Sequence, residues 1–285
     1  MKRFNKIRLL WMLLLGLLFT NNGMSQSPVG NVTPLDIRKY TVLDSANYMF
    51  TYRLNFVRDT LKNRKETNSM VLLVGNNCSK FFNKFYLDYE NMLQKLFQEG
   101  RVKNMDAVGL GGTEIYKYYA PKIQKATVLL FGVRNTVYTY TEKLQMQTWK
   151  IESEKKKIHN YFCQKATTFF LGRKYIAWFT PEIPVSEGPW KFYGLPGLIL
   201  EVFDENRNYH FECVGIEKLK KKKPIVEYSV MYKKTDRKSV NKAIQKLHTH
   251  FTQMLISQGY VGEINGKELN AKNELTFIYN PIELE

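Results

Sequence analysis

Short runs rich in aromatic and β-branched residues, separated by brief turn signals, constrain this chain more than anything else in it. From Trp149 the period is two, with Trp149 and Ile151 alternating with Lys150 and Glu152. Residues 158–170 and 174–180 read as strands joined at Leu171-Gly172-Arg173, a hairpin connection. Residues 198–203 and 209–216 form the next pair, joined through 204–208, and 225–232 (IVEYSVMY) make one more strand. Upstream, residues 46–57, 70–75, 80–87 and 136–141 read the same way. Strands that follow one another through short turns predict an antiparallel sheet rather than βαβ units.

Two segments carry helical spacing instead. Asp88 is placed to cap a helix with Tyr89, Met92, Leu93, Leu96 and Phe97 on one side and Gly100 as its stop. Val240, Ile244, Leu247, Phe251, Met254 and Leu255 form a second apolar stripe, capped by Ser239 or Asp236 and followed by Gly259. The predicted fold is α+β and mainly β. It is one curved antiparallel sheet, half-barrel-like, with the two helices packed on one face.

The N-terminus reads as an address. Lys2, Arg3, Lys6 and Arg8 precede an apolar run over 9–19 that is too short to span a bilayer, which takes about 20 residues. Gly23-Met24-Ser25 supplies small residues for cleavage, so 1–25 is predicted to be a secretory signal and Gln26 the mature terminus. Residues 26–36 read as a flexible lead-in and 37–285 as a single domain. Composition narrows the class further. At 14% aromatic the chain is not a disordered one, and 3 Cys in 285 residues are too few for a disulfide scaffold. A mean hydropathy of −0.37 with one long apolar run excludes a polytopic membrane protein. Export makes nucleic acid an unsuitable partner despite the formal charge of +17.

Residues 182–204 read EIPVSEGPWKFYGLPGLILEVFD. The segment resembles the GLPGLI family, secreted proteins of Gram-negative bacteria named for the hexapeptide Gly194-Leu195-Pro196-Gly197-Leu198-Ile199. Flanking matches run through Cys163-Gln164-Lys165-Ala166, Gly172-Arg173, Ala177-Trp178-Phe179-Thr180 and Glu182-Ile183-Pro184. Ser79-Lys80-Phe81 and the closing Asn280-Pro281-Ile282-Glu283-Leu284 are similar to the family's terminal signatures. His159-Asn160 depart from the pattern before Tyr161. The resemblance implies a secreted location and brings no catalytic residues, since the family has no established activity.

The motif also has a physical reading of its own. Gly188-Pro189 and Pro196-Gly197 bracket a fixed crossover, with Pro196-Gly197 suited to the central positions of a type II turn. The crossover is expected to bring Trp190, Phe192 and Tyr193 against the sheet, either as a packing corner or as a ligand-contacting loop. The basic run Lys218, Lys220, Lys221, Lys222 and Lys223 reads as a solvated turn before Pro224, or as a contact for an anionic lipid surface.

Catalytic patterns are weak. Ser186 lacks a nucleophile elbow, and the glycines at 109–112 lack a phosphate-loop context. His248 and His250 are two apart on a helix, and His159 and His210 have no partners at metal-ligand spacing. Glu182, Glu187 and Glu201 are the candidates for paired carboxylates. No metal site and no cofactor signature are read. Two functions of different class stay open. The first is a non-enzymatic protein of the periplasm or cell envelope that binds an outer-membrane receptor, a lipid or a peptide. The second is an exported hydrolase with dispersed catalytic residues. The residues leave the oligomeric state open.

Overall fold

The computed structural model describes residues 35–36, 39–101, 106–107, 113–130, 136–229, 231–257, 263–264, 267–268, 270, 272 and 276–285. The segment 1–25 predicted to be a signal, most of the predicted lead-in, the glycines at 109–112 and Gly259 lie outside them. Sixteen strands and three helices follow one another among the described residues. The strands are β1 (Leu35–Asp36), β2 (Tyr40–Asp59), β3 (Arg64–Val74), β4 (Cys78–Asn83), β5 (Asp106–Ala107), β6 (Thr113–Tyr118), β7 (Ile123–Leu130) and β8 (Thr136–Lys143). They continue with β9 (Lys150–Ile158), β10 (Tyr161–Phe170), β11 (Arg173–Thr180), β12 (Leu198–Asp204), β13 (Tyr209–Tyr228), β14 (Tyr232–Lys234), β15 (Glu263–Ile264) and β16 (Lys267–Glu268). The helices are α1 (Lys84–Gln98), α2 (Arg237–Thr249) and α3 (Phe251–Ser257).

The mainly-β, α+β class holds, built on one large sheet. Its twelve strands run in the order β14-β8-β7-β6-β4-β3-β2-β13-β12-β11-β10-β9. Neighbours are antiparallel except β14, which lies parallel to β8 and makes the sheet mixed. Residues 158–170 are two strands, not one. His159 takes a positive φ of 52° and turns β9 into β10 before Tyr161. Leu171 (φ 46°) and Gly172 (φ 80°) then form the two-residue hairpin between β10 and β11, with both residues in the left-handed region that a type I′ turn requires.

Segment 70–74 is apolar at every position because β3 is buried on both faces. Met70, Leu72 and Val74 belong to the larger core, whereas Val71 and Leu73 belong to a second core with Phe82, Leu87 and Ile225. The helices divide accordingly. Leu87 of α1 packs in the second core, and Val240 of α2 belongs to the larger one. A sheet with two apolar faces needs cover on each.

Three local readings are corrected. The strand expected over 80–87 stops at Asn83, whose side chain accepts from Phe85 N at 2.9 Å and caps α1. Asp88 sits one turn inside, paired with Lys84 at 2.5 Å. The buried side of α1 is therefore set by Leu87 and Leu93, and Met92 and Phe97 are exposed. Gly100 follows the C-cap at φ 68°, as expected. The second helical stripe is two helices. Asp236 caps α2 through Ser239 N at 2.9 Å. Thr249 Oγ1 then donates back to Gln245 O, and His250 leaves helical geometry at φ −136°. Residues 225–232 are likewise divided between the end of β13 and β14.

The lysine run is no turn. It belongs to the 20-residue β13, which bulges against β2 so that Lys218 faces Tyr48 and Lys223 faces Ala46. Pro224, which has no N–H to give a ladder, follows directly.

Candidate functional site

The crossover between β11 and β12 is a packed corner. Phe192 is fully buried among Trp190, Phe170, Tyr175 and Phe211, with the Tyr175 ring centroid 4.7 Å away. Leu195, Leu198 and Ile199 are buried too. Trp190 takes φ 52° and Gly194 φ 93°. Gly197 does require the positive φ expected of it, at 144°. The type II turn is not what forms: Gly197 N donates to Leu195 O at 2.8 Å, which closes a tighter three-residue turn across Pro196.

Buried polar groups then lock the crossover to the sheet. Lys117 Nζ donates to Glu187 Oε2 at 2.5 Å, Phe192 O at 2.8 Å and Gly188 O at 3.2 Å. Glu187 Oε1 accepts from Tyr119 at 2.8 Å and Ser79 at 3.0 Å. Burial pulls the Lys117 ammonium below the usual lysine value, with Glu187 pulling the other way. A second group joins Lys191 to Glu283 at 2.8 Å and Glu142 at 3.1 Å, and Arg237 to both acids at 3.3 Å. It ties the crossover, β8, α2 and the C-terminal segment together. Burial works against the Lys191 ammonium, but Tyr140, Glu283 and Glu142 outweigh it and raise its pKa. The closing segment is held by Arg173, which donates to Pro281 O at 2.5 Å and Ile282 O at 3.1 Å.

These contacts use up the other catalytic candidates. Ser186 Oγ donates to Leu195 O at 2.5 Å and closes the crossover. Glu182 accepts from Phe162 N, Glu187 belongs to Lys117, and Glu201 is held by His210 at 2.8 Å and by Lys156. The three carboxylates thus have separate partners and form no acid pair. His159 Nε2 bonds Cys213 O, and His248 Nδ1 bonds Ile244 O. Among the described residues no group of three His, Cys, Asp or Glu could hold a metal ion. Cys78, Cys163 and Cys213 are free and buried, and burial pushes the Cys163 thiol up to about 11.

The open site lies on the other face, under α1. A cleft of about 360 Å³ is bounded by α1, the floor of the sheet and the β13 bulge. Leu73, Phe82 and Leu129 of the sheet make its apolar floor, and Leu87 of α1 faces them. Lys80 sits within it, 2.9 Å from Glu114 and 3.1 Å from Val226 O, between the Phe82 and Tyr116 rings. Tyr116 donates to Glu114 at 2.6 Å, and burial pushes its phenol well up, with Glu114 adding to the effect. The Tyr228 hydroxyl, on a residue only 9% exposed, lines the cleft and has no partner at standard hydrogen-bond geometry among the described residues, only a weaker contact to Glu90. Of the site residues read from sequence, Lys221, Lys222 and Lys223 reach this cleft; the crossover residues do not. Lys80, Glu90, Glu114, Tyr40 and Tyr228 were missed. One signal was present: a lysine inside the apolar run Lys80-Phe81-Phe82 must find a buried partner.

Similarity to other proteins is sparse. Residues 172–201 match the model of a family described as a protein of unknown function, Porph_ging. The matched stretch begins in the β10–β11 hairpin and ends in β12, so it is the packed corner and its flanks. No curated protein matches. Two solved structures of PNGF-II are similar at 16% and 17% identity, with TM-scores of 0.46 and 0.45. The matches cover 72% and 71% of this chain but 34% and 33% of those chains, so this chain spans about a third of their length. The likeness is too remote to bring an activity to this chain.

Proposed function

We propose that this is an exported cell-envelope protein that binds a small ligand without catalysis, and that the cleft beneath α1 is its binding site. The cleft carries the reading. Its volume of about 360 Å³ falls in the range of small-molecule sites, about 300–1,000 Å³. Its floor is apolar, and its inner charges are already consumed, since Glu114 is held by both Lys80 and Tyr116. A carboxylate so engaged is poorly placed to act as a base, which favours binding over the hydrolase alternative. In this proposal 1–25 directs export, 37–285 acts as a single domain, and the GLPGLI hexapeptide is scaffold. The complete hexapeptide within the matched segment supports that family reading.

The test has two readouts. Mass spectrometry of exported protein should find Gln26 at the terminus. Asn91 is exposed on α1 and lines the cleft, so Asn91→Trp should fill it without unfolding the protein. The neutral probe N-phenyl-1-naphthylamine should bind the wild type saturably and lose about tenfold in affinity on Asn91→Trp, with Tm unchanged. Equal binding by both proteins would remove the cleft as the site.

A further inference from the structure

We infer that the cleft takes an amphiphile with an anionic head group, its apolar body on the floor beneath α1 and its head against the β13 bulge. This rests on the binding-cleft reading above. The charge lining supports it: Lys80, Lys221, Lys222 and Lys223 stand against Glu90 and Glu114. Lys80 and Glu114 neutralise each other at 2.9 Å. What remains is three lysines against Glu90. Lys221 and Lys222 are exposed and carry no ion pair among the described residues.

The bulge is the reason they stand at the mouth. Between Lys218 and Lys223, β13 spends more residues than β2 spends between Tyr48 and Ala46, and the surplus leaves the ladder. Leu219 turns inward against the second core and anchors the loop.

The second observation is a buried donor. Tyr228 is nine-tenths buried and lines the cleft, and its hydroxyl has no partner at standard hydrogen-bond geometry among the described residues, only a weaker contact to Glu90. A buried hydroxyl held this loosely can turn to donate to an oxygen acceptor that enters the cleft. Glu90 connects the two observations. Its carboxylate acts on Lys223 by charge and on Tyr228 by charge and hydrogen bonding, and all three residues line the cleft. A ligand head group entering there meets the same two donors and competes with Glu90 for them.

The experiment is calorimetric titration of the mature protein with dodecanoate, dodecanol and dodecylamine, each below its aggregation concentration. Dodecanoate should bind about five- to tenfold more tightly than dodecanol, and dodecylamine more weakly than either. Lys221→Gln with Lys222→Gln should bring dodecanoate down to the dodecanol value and leave dodecanol unchanged. Glu90→Gln should tighten dodecanoate, and Tyr228→Phe should weaken it without lowering Tm. If dodecanol matches dodecanoate, or dodecylamine binds best, the anionic head is wrong and the cleft stands. If none of the three binds, the cleft falls with it.

Discussion

Gly197 shows how one missing atom can hold a fold. A Cβ there would stand 2.0 Å from Thr180 O and 2.6 Å from Thr180 C, both backbone atoms that cannot swing away. The positive φ of 144° adds strain for any other residue. Gly197→Ala is therefore expected to cost more than 1 kcal/mol, on the order of several, and to lower Tm. Thermal melts of the variant decide it, and an unchanged Tm would show that the corner is not under the constraint described. Pro196→Ala should cost less, because it chiefly frees the unfolded chain. The requirement for glycine was legible in the sequence from the Pro-Gly pair. The turn type was not, because the register of Leu198 is set by its bond to Ile183 O across the crossover.

Strands impose a different kind of constraint, visible at Glu201 on β12. Burial opposes its ionisation, but the bonds from His210 and Lys156 outweigh burial and hold its carboxyl down to about 2. The folded value is depressed below the ordinary 4.5, so the stabilisation is complete above that pH and is lost as the pH falls toward 2. Its size is about 2–3 kcal/mol. Glu201→Gln should be less stable than wild type at pH 7, and the gap should close between pH 4.5 and 2. A gap that stays constant to pH 2 would contradict the pairing. Sequence reading could place Glu201 and His210 on adjacent strands. It could not pair them, because the partner and its register are fixed by ladders between β12 and β13 that put Glu201 opposite Glu212 and Val202 opposite Phe211. The helices show the same limit. Asp236 was legible as a cap, while Asn83 was hidden in a run of aromatic residues that reads equally as strand.

Across the whole molecule, the two faces of the sheet are built differently. One face holds the crossover, locked by Lys117–Glu187 and by the Lys191, Glu142, Glu283 and Arg237 group. The other holds the cleft beneath α1, with its lysine rim. The recognisable motif advertises the first face, because glycine and proline positions stand out in a sequence. The second face was legible only in its lysine run: Tyr40, Leu73, Lys80, Glu114 and Tyr228 are scattered over nearly 190 positions and meet only through the order of the strands. The central claim is that ligand binding belongs to this second face. Methyl NMR of the mature protein titrated with dodecanoate tests it directly. Shift changes should concentrate on Leu73, Leu87, Leu129 and Val137 and leave Leu195, Leu198 and Ile199 unmoved. Changes centred on the crossover methyls, with the cleft silent, would contradict the account and make the motif the recognition loop.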